Sequence, residues 1–473
     1  MPYLKVSGTQ FVDGNGTPVV LLGAGLGGWM MMENFISGFP GCEFHIREAL
    51  AEAIGIEKAS LFFEKFLDNF FAEGDVKFFK SLGLNCVRIA FNYHHFEDDM
   101  NPRVLKKDAF KQLDRVVSLC AAEDIYTIID LHSTPGGQSG GWHADAGTHF
   151  GDFWKHKDFQ DRFVWLWTQI AEHYKDNIYG CAAQRFLLII TASPWIVQLM
   201  NEPADPDPGH AGLINIYDRT YAAIYSIDPH HILFLDGNTF ATDFTKFPDD
   251  SATRWGTNVA FAIHDYSTFG FPSSPEEARK WMDEGNLCVW NGEWGPVYGR
   301  KEYDGEETDD INRRRYMVLR DQLEIYRKDS LSWSIWLYKD IGFQGMVYVS
   351  QDTAYMKHFG EFLSKKHRLA VDAWGADDKY VKHIYEPIVN LIKEEIPEQN
   401  QKLYPPIWNL ENRVTRISRT ILVAEFMAKE WAEMFVGMGD QELVDFAESF
   451  AFEKCEKREE LNSILKFSAN TAV

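Results

Sequence analysis

Apolar and polar positions along this 473-residue chain follow two alternating rhythms. Short, nearly continuous apolar runs occur at Val20–Ala24, Asn85–Phe91, Tyr126–Leu131, Ile196–Met200, His231–Leu235, Val259–His264, Leu287–Trp290 and Ser332–Trp336. Each reads as a β-strand covered on both faces, as strands of parallel sheets are. Between them, apolar residues recur at spacings of three and four over Leu61–Leu82, Lys107–Ala122, Phe153–Tyr174, Leu213–Ile227, Pro275–Glu284, Asp310–Arg327 and Ala354–Lys366. That period predicts amphipathic helices. Eight strands alternating with helices predict an α/β fold closed into a (β/α)8 TIM barrel rather than an open sheet.

Residues 3–20 alternate around Asp13-Gly14-Asn15-Gly16 and predict a small hairpin placed to cover the bottom of the barrel. Asn15-Gly16-Thr17 matches a glycosylation sequon, but the run of turn formers accounts for it. The barrel, with its hairpin, is expected to span 1–400 and a helical extension 401–473. From about Tyr380 the character changes: Lys382–Glu395 and Arg419–Phe435 look helical on either side of Leu403-Tyr404-Pro405-Pro406, with apolar positions expected to pack on the barrel's outside. One connection breaks the rhythm. Before the fourth strand, Phe186–Ile190 is too apolar for a solvent loop, within a stretch Ile178–Ser193 that is long for its place.

Charge narrows the partners. With 70 Asp and Glu against 47 Lys and Arg, the net charge of −23 repels phosphate backbones and anionic lipid heads, so no nucleic acid partner is expected. No run of about 18 apolar residues is present to span a membrane. The first twenty residues lack the pattern of a signal peptide, which predicts a cytoplasmic protein. The six cysteines form no Cys-x-x-Cys pair and predict neither a zinc site nor a disulfide framework.

Two glutamates close predicted strands. Asn201-Glu202-Pro203 follows Ile196–Met200, and Gly292-Glu293-Trp294-Gly295 follows Leu287–Trp290. In a barrel this is the face where active sites are built. Cleavage of a glycosidic bond with retention needs one protonated and one ionised carboxyl about 5–5.5 Å apart. Arg88 lies inside Val87-Arg88-Ile89-Ala90, where a permanent charge needs a carboxylate partner. Glu293 is the natural one, and such a pair would keep it ionised as nucleophile while burial raises Glu202 into the role of acid/base. His132, His264 with Tyr266, and Trp336 also end strands; Trp336 could floor a sugar site. His94-His95-Phe96-Glu97-Asp98-Asp99 lacks the spacing of a helix-borne metal site, and no metal or cofactor is expected. Pro135–Gly141, rich in glycine without a phosphate-loop ending, reads as a mobile rim.

With these residues in view, the chain resembles glycoside hydrolase family 5 over about residues 15–370. The resemblance implies Glu202 as acid/base, Glu293 as nucleophile, and Arg88, His132, Asn201, His264, Tyr266 and Trp336 around the sugar being cleaved. Leu26-Gly27-Gly28-Trp29-Met30-Met31-Met32-Glu33 and Asp130–Gln138 are most similar to the fungal exo-β-1,3-glucanase and β-glucosidase branch, which implies that Glu33 binds hydroxyls of the terminal sugar. The expected activity is that of a retaining exo-β-glycosidase on a carbohydrate substrate, a β-glucosidase first. Exo-β-1,3-glucanase, glycolipid β-glycosidase, β-mannosidase and an inactive sugar-binding barrel are the alternatives. The branch is mostly secreted, so the expected intracellular location is a departure from it. A second departure is Ile178–Ser193, which reads as an inserted segment and possible product of a retained intron.

Overall fold

The computed structural model describes residues 3–175, 195–266, 284–371, 378–405 and 409–471. The expected insertion at Ile178–Ser193 and all but the last residue of the expected helix Pro275–Glu284 lie outside these.

Three short strands open the chain: β1 (Lys5–Ser7), β2 (Gln10–Val12) and β3 (Pro18–Val19), paired antiparallel. Gly16, at φ +85°, turns the chain between the last two, and its N–H donates to the Asp13 carbonyl at 2.9 Å. Eight strands then form a closed barrel: β4 (Leu22–Met30), β5 (Cys86–Asn92), β6 (Tyr126–Ser133), β7 (Trp195–Gln198), β8 (Leu233–Asp236), β9 (Val259–His264), β10 (Val289–Glu293) and β11 (Ser332–Ile335). Each neighbours the next in parallel, and β11 pairs with β4 to close the ring.

Side chains alternate along each strand, and this alternation places the chemistry. Val87, Ile89 and Phe91 of β5, Ile129 and Leu131 of β6, and Leu233 and Leu235 of β8 join the core shared with the surrounding helices. The opposite parity faces the barrel's interior. Its lower level is apolar: Cys86, Tyr126, Ile128, Ile196, Phe234, Ala260, Ala262 and Trp290 pack with Leu4 and Phe11 of the N-terminal sheet, which seals that end. Its upper level is polar, because one step of two residues along the same strands brings in Arg88, Asp130, His132, Gln198, Asp236 and His264, all buried.

Between β4 and β5 the sequence predicts one helix over Leu61–Leu82. That span is instead shared by two, Ile56–Phe70 and Glu73–Ser81, after a further helix at Glu43–Ile54. Phe71 and Ala72 are extended, and Asp75 accepts the Ala72 N–H at 2.8 Å, which begins a fresh helix. The C-terminal chain is woven into the same core. Trp431 packs edge-on to Phe39 at 5.0 Å, Phe435 lies against Phe62 at 5.1 Å, and a strand at Cys455–Lys457 pairs antiparallel with one at Val347–Val349. Among the described residues no helix is long and apolar enough to cross a membrane.

Candidate active site

Glu293 is the last residue of β10, and a register shift between Asn291 and Glu293 re-aims it at the barrel axis. One carboxylate oxygen is ion-paired with Arg88 Nη1 and the other accepts from Tyr266 Oη at 2.9 Å. Arg88 is wholly buried and spends its whole fork: Nε donates to Gln198 Oε1 at 2.6 Å, and Nη2 to Asn201 Oδ1 at 2.7 Å and Asp130 Oδ2 at 2.9 Å. Burial opposes the guanidinium's charge, but Asp130, Glu293 and Asp236 outweigh it and hold the Arg88 proton above its ordinary range. Burial pushes Asp130 the other way from an ordinary carboxylate, up to about 7 despite Arg88.

His132 is ordered by this network. Burial lowers its pKa to about 3, so the ring is neutral at ordinary pH. Asn201 Nδ2 donates to its Nε2 at 3.1 Å, which leaves the ring proton on Nδ1, 2.7 Å from Asp130 Oδ2.

Glu202 stands four residues past β7 with a left-handed backbone, φ +46°, and its N–H donates to Asp236 Oδ2 at 3.0 Å. Strain of this kind, about 1–3 kcal/mol, persists where neighbours over-determine a position. Its Oε1 lies 2.7 Å from His264 Nδ1 and its Oε2 3.3 Å from His143 Nε2. Burial first, then Glu293, Glu33 and Asp236, raises the Glu202 pKa well above the carboxylate range against the opposing pull of Arg88. Burial drives both imidazoles well below their usual pKa, so they are neutral. His264 Nδ1 and Oε1 therefore share a hydrogen bond whose direction follows the imidazole tautomer, and Oε2 faces His143.

A flat aromatic ring completes the cluster. Trp336 is buried, stacks on His132 with rings 9° from parallel and centroids 5.3 Å apart, and lies 5.7 Å from the Arg88 guanidinium. Gly25 and Gly27 leave it room: a Cβ on either would stand 2.4 or 2.5 Å from the indole. Glu33, three residues beyond β4, is buried and accepts from Trp142 Nε1 at 2.7 Å; burial and Glu293 raise its pKa well above the usual range.

All nine residues singled out from the sequence, Glu33, Arg88, His132, Asn201, Glu202, His264, Tyr266, Glu293 and Trp336, thus meet at the C-terminal mouth. Asp130, Gln198 and Asp236 join them, and their signal was present: polar residues at inward parity in apolar strands. Trp142 and His143 carried no such signal. Pro135–Gly141 was expected to form a mobile rim of the cleft. It is largely buried, and Gln138 Nε2 donates to the carbonyls of His132 at 2.7 Å and Asn201 at 2.8 Å, tying β6 to the chain after β7. His94 and His95 face Asp99 and Glu43 at 3.0 and 2.9 Å, away from the mouth's paired glutamates.

Among the described residues one group has ligand atoms close enough for a metal ion, Glu202, His264 and Glu293, each offering one atom within 4.8 Å of the others. Arg88 and Tyr266 already hold both oxygens of Glu293, so a cation there would face the guanidinium's charge. The same closeness suits direct participation of both carboxyls in one bond cleavage.

The family model of Cellulase (glycosyl hydrolase family 5) matches residues 55–342. The chain is 58% identical, over 99% of its own length and 99% of the relative's, to a protein named "Beta-xylosidase" from Phanerodontia chrysosporium. It is 27% identical to a "Probable glucan 1,3-beta-glucosidase A" of Aspergillus clavatus, over 53% of this chain and 56% of that one. Among solved structures, an endogalactoceramidase shares the fold with a TM-score of 0.52 and 17% identity, over 72% of this chain and 75% of that one. By sequence family, with a barrel and a carboxyl pair that agree with it, the chain belongs to glycosyl hydrolase family 5 and is a glycosidase.

Proposed function

We propose that the protein is a retaining, exo-acting β-glycosidase that removes a terminal β-D-xylopyranosyl residue by double displacement. The observation that carries the retaining mechanism is the approach of Glu202 and Glu293, with one atom of each within 4.8 Å. Direct attack by a carboxylate calls for about 5–5.5 Å between carboxyls, whereas room for an intervening water calls for about 6.5–9.5 Å. Glu293 attacks the anomeric carbon as Glu202 passes its proton to the departing oxygen. A glycosyl ester on Glu293 results. Glu202, now ionised, takes a proton from water, which attacks the anomeric carbon, breaks its bond to the Glu293 carboxylate and frees the sugar with its original configuration.

Arg88 and Tyr266 fix both oxygens of the nucleophile, and neutral His132 and His264 hold the cluster without adding charge. Trp336 offers a π face to the C–H face of a pyranose. Exo action is supported by Glu33 and Trp142, a hydrogen-bonded pair beside the cluster that suits the hydroxyls of a chain end. The xyloside is favoured by the 58% identical relative named for that activity. A second reading, a β-glucoside, is favoured by Glu33 and by the glucan 1,3-β-glucosidase relatives; the two sugars differ only in the hydroxymethyl on C5.

A panel of 4-nitrophenyl β-xyloside, glucoside, mannoside and galactoside tests this. Turnover of the xyloside or glucoside, with the β-anomer appearing first by proton NMR, is expected. No turnover of any sugar would leave a binding barrel, and first release of the α-anomer would overturn retention. Gly25→Ala is expected to lower kcat/KM about 10- to 100-fold by forcing Trp336 out of plane, since small misplacements of a substrate platform have effects of that size. An unchanged kcat/KM in that variant would remove Trp336 from the substrate's floor.

A further inference from the structure

Two polar residues of the C-terminal chain reach the acid/base side of the mouth. Arg416, buried at 3% exposure, opens a π-wound stretch, Arg416–Val423, and π turns recur at functional sites. Its guanidinium donates to the carbonyls of Gly140 at 2.5 Å, Ala146 at 2.9 Å and Gly141 at 3.3 Å, and to Thr420 Oγ1 at 2.6 Å. Those carbonyls bracket Trp142 and His143, the side chains against Glu33 and Glu202. Ser139 Oγ lies 3.0 Å from His143 Nε2 in the same loop.

Tyr404 acts on the facing loop. Its hydroxyl shares a 2.7 Å hydrogen bond with His210 Nε2 and accepts from Asn238 Nδ2 at 3.5 Å. Asn238 in turn accepts from the Asp205 N–H at 2.8 Å and donates to the Asp205 carbonyl at 3.1 Å. Directly after it, Thr239, Phe240 and Ala241 are all left-handed, at φ 54°, 60° and 59°. None is glycine, and three such residues in a row survive only where neighbours hold them. The Phe240 N–H donates to the carbonyl of Pro203, the residue after Glu202, at 3.2 Å. Its ring meets His143 edge-on at 5.7 Å and 84°.

The loop held by Arg416 and the turn braced by Tyr404 therefore converge on Glu202. We infer that the C-terminal extension is a working part of the glycosidase site, in which Arg416 and Tyr404 are positioning residues that set His143 and Phe240 around the proton-donating oxygen and the departing group. This rests on the reading of Glu202 as acid/base. Cleavage of the sugar–oxygen bond sends an electron pair to the leaving oxygen together with the Glu202 proton. A poorly placed donor therefore harms poor leaving groups most.

Tyr404→Phe, which removes one hydroxyl, and Arg416→Lys, which keeps charge but cannot span three carbonyls, are compared with wild type on 2,4-dinitrophenyl and methyl β-xylosides and β-glucosides. For both variants kcat/KM on the methyl glycosides is expected to fall about tenfold, with the dinitrophenyl value within about twofold, since that phenolate leaves with little acid assistance. Equal losses on both substrates would mark a merely structural role, and no loss on either would also overturn the inference. Should Arg416→Lys fail to fold, Tyr404→Phe decides alone. Glu202→Ala in the same assays separates the two readings: without a leaving-group effect there, the acid/base assignment fails. With a strong effect there and none in Tyr404→Phe, only the role of the extension fails.

Discussion

Glu293→Gln is expected to abolish turnover of aryl β-glycosides, by about 10⁴-fold or more, because removing a covalent nucleophile removes both chemical steps at once. The variant should still fold. Glutamine keeps the shape and can accept from Arg88 through its amide oxygen, and the guanidinium retains Asp130 at 2.9 Å and the field of Asp236, so no buried cation is stranded. A mechanism-based probe, a 2-deoxy-2-fluoro glycoside with a dinitrophenyl leaving group, should add one fluoroglycosyl mass to the wild type on the peptide holding Glu293, and none to the variant. Label on another residue, or activity within about tenfold of wild type, would sink the nucleophile assignment.

The barrel was legible because its strands are long apolar runs separated by helical periods, and the structure keeps all eight. The site was legible for a related reason. Arg88, His132 and His264 sit at inward parity in strands with no other use for a polar side chain, and the same parity holds Asp130, Gln198 and Asp236. Parity needs a strand's register, which a run of apolar residues fixes only to within a residue or two, so those three were not separated from their strands in advance. Glu202 and Glu293 were found from their places after strands. What aims them, a bulge in β10 and a left-handed residue after β7, follows from tertiary contacts and leaves no mark in a local pattern.

Loops told less. Trp142, His143 and Phe240 look like any aromatic residues in sequence, and Arg416 and Tyr404 look like surface groups of a helical tail. Their significance comes from contacts across |i−j| of 109 for Trp142 with Glu33 and 276 for Arg416 with Gly140. The glycine-rich stretch Pro135–Gly141 is packed more closely than its composition suggests. Its glycines allow close approach, with a Cβ on Gly140 standing 2.5 Å from the His149 carbonyl oxygen.

Glu202→Ala is expected to split substrates by leaving group. Acid catalysis contributes about 10²–10⁴-fold where the departing oxygen needs a proton, so kcat/KM should fall by that amount for methyl glycosides and little for dinitrophenyl ones. The second step loses its base, so the glycosyl ester should accumulate and azide, which needs no deprotonation, should release it as the β-glycosyl azide. An α-azide would contradict retention, and no rescue at all would contradict the role of base. The companion variant Glu202→Gln tests the proton's energetics. Burial and the charges of Glu293, Glu33 and Asp236 raise the Glu202 pKa in the folded state, so the folded protein binds this proton more tightly than the unfolded chain. Its stabilising contribution is complete below the unfolded carboxylate pKa of about 4.3 and is lost as pH rises through the folded pKa. Glutamine cannot ionise and escapes that loss. Calorimetry should therefore find the Gln variant melting above wild type at pH 8 and the gap narrowing toward pH 4, while the basic limb of the wild-type kcat/KM profile disappears in the variant's residual activity. A gap that widens on acidification would mean that Glu202 is ionised in the resting enzyme and that the proton for the leaving group comes from elsewhere.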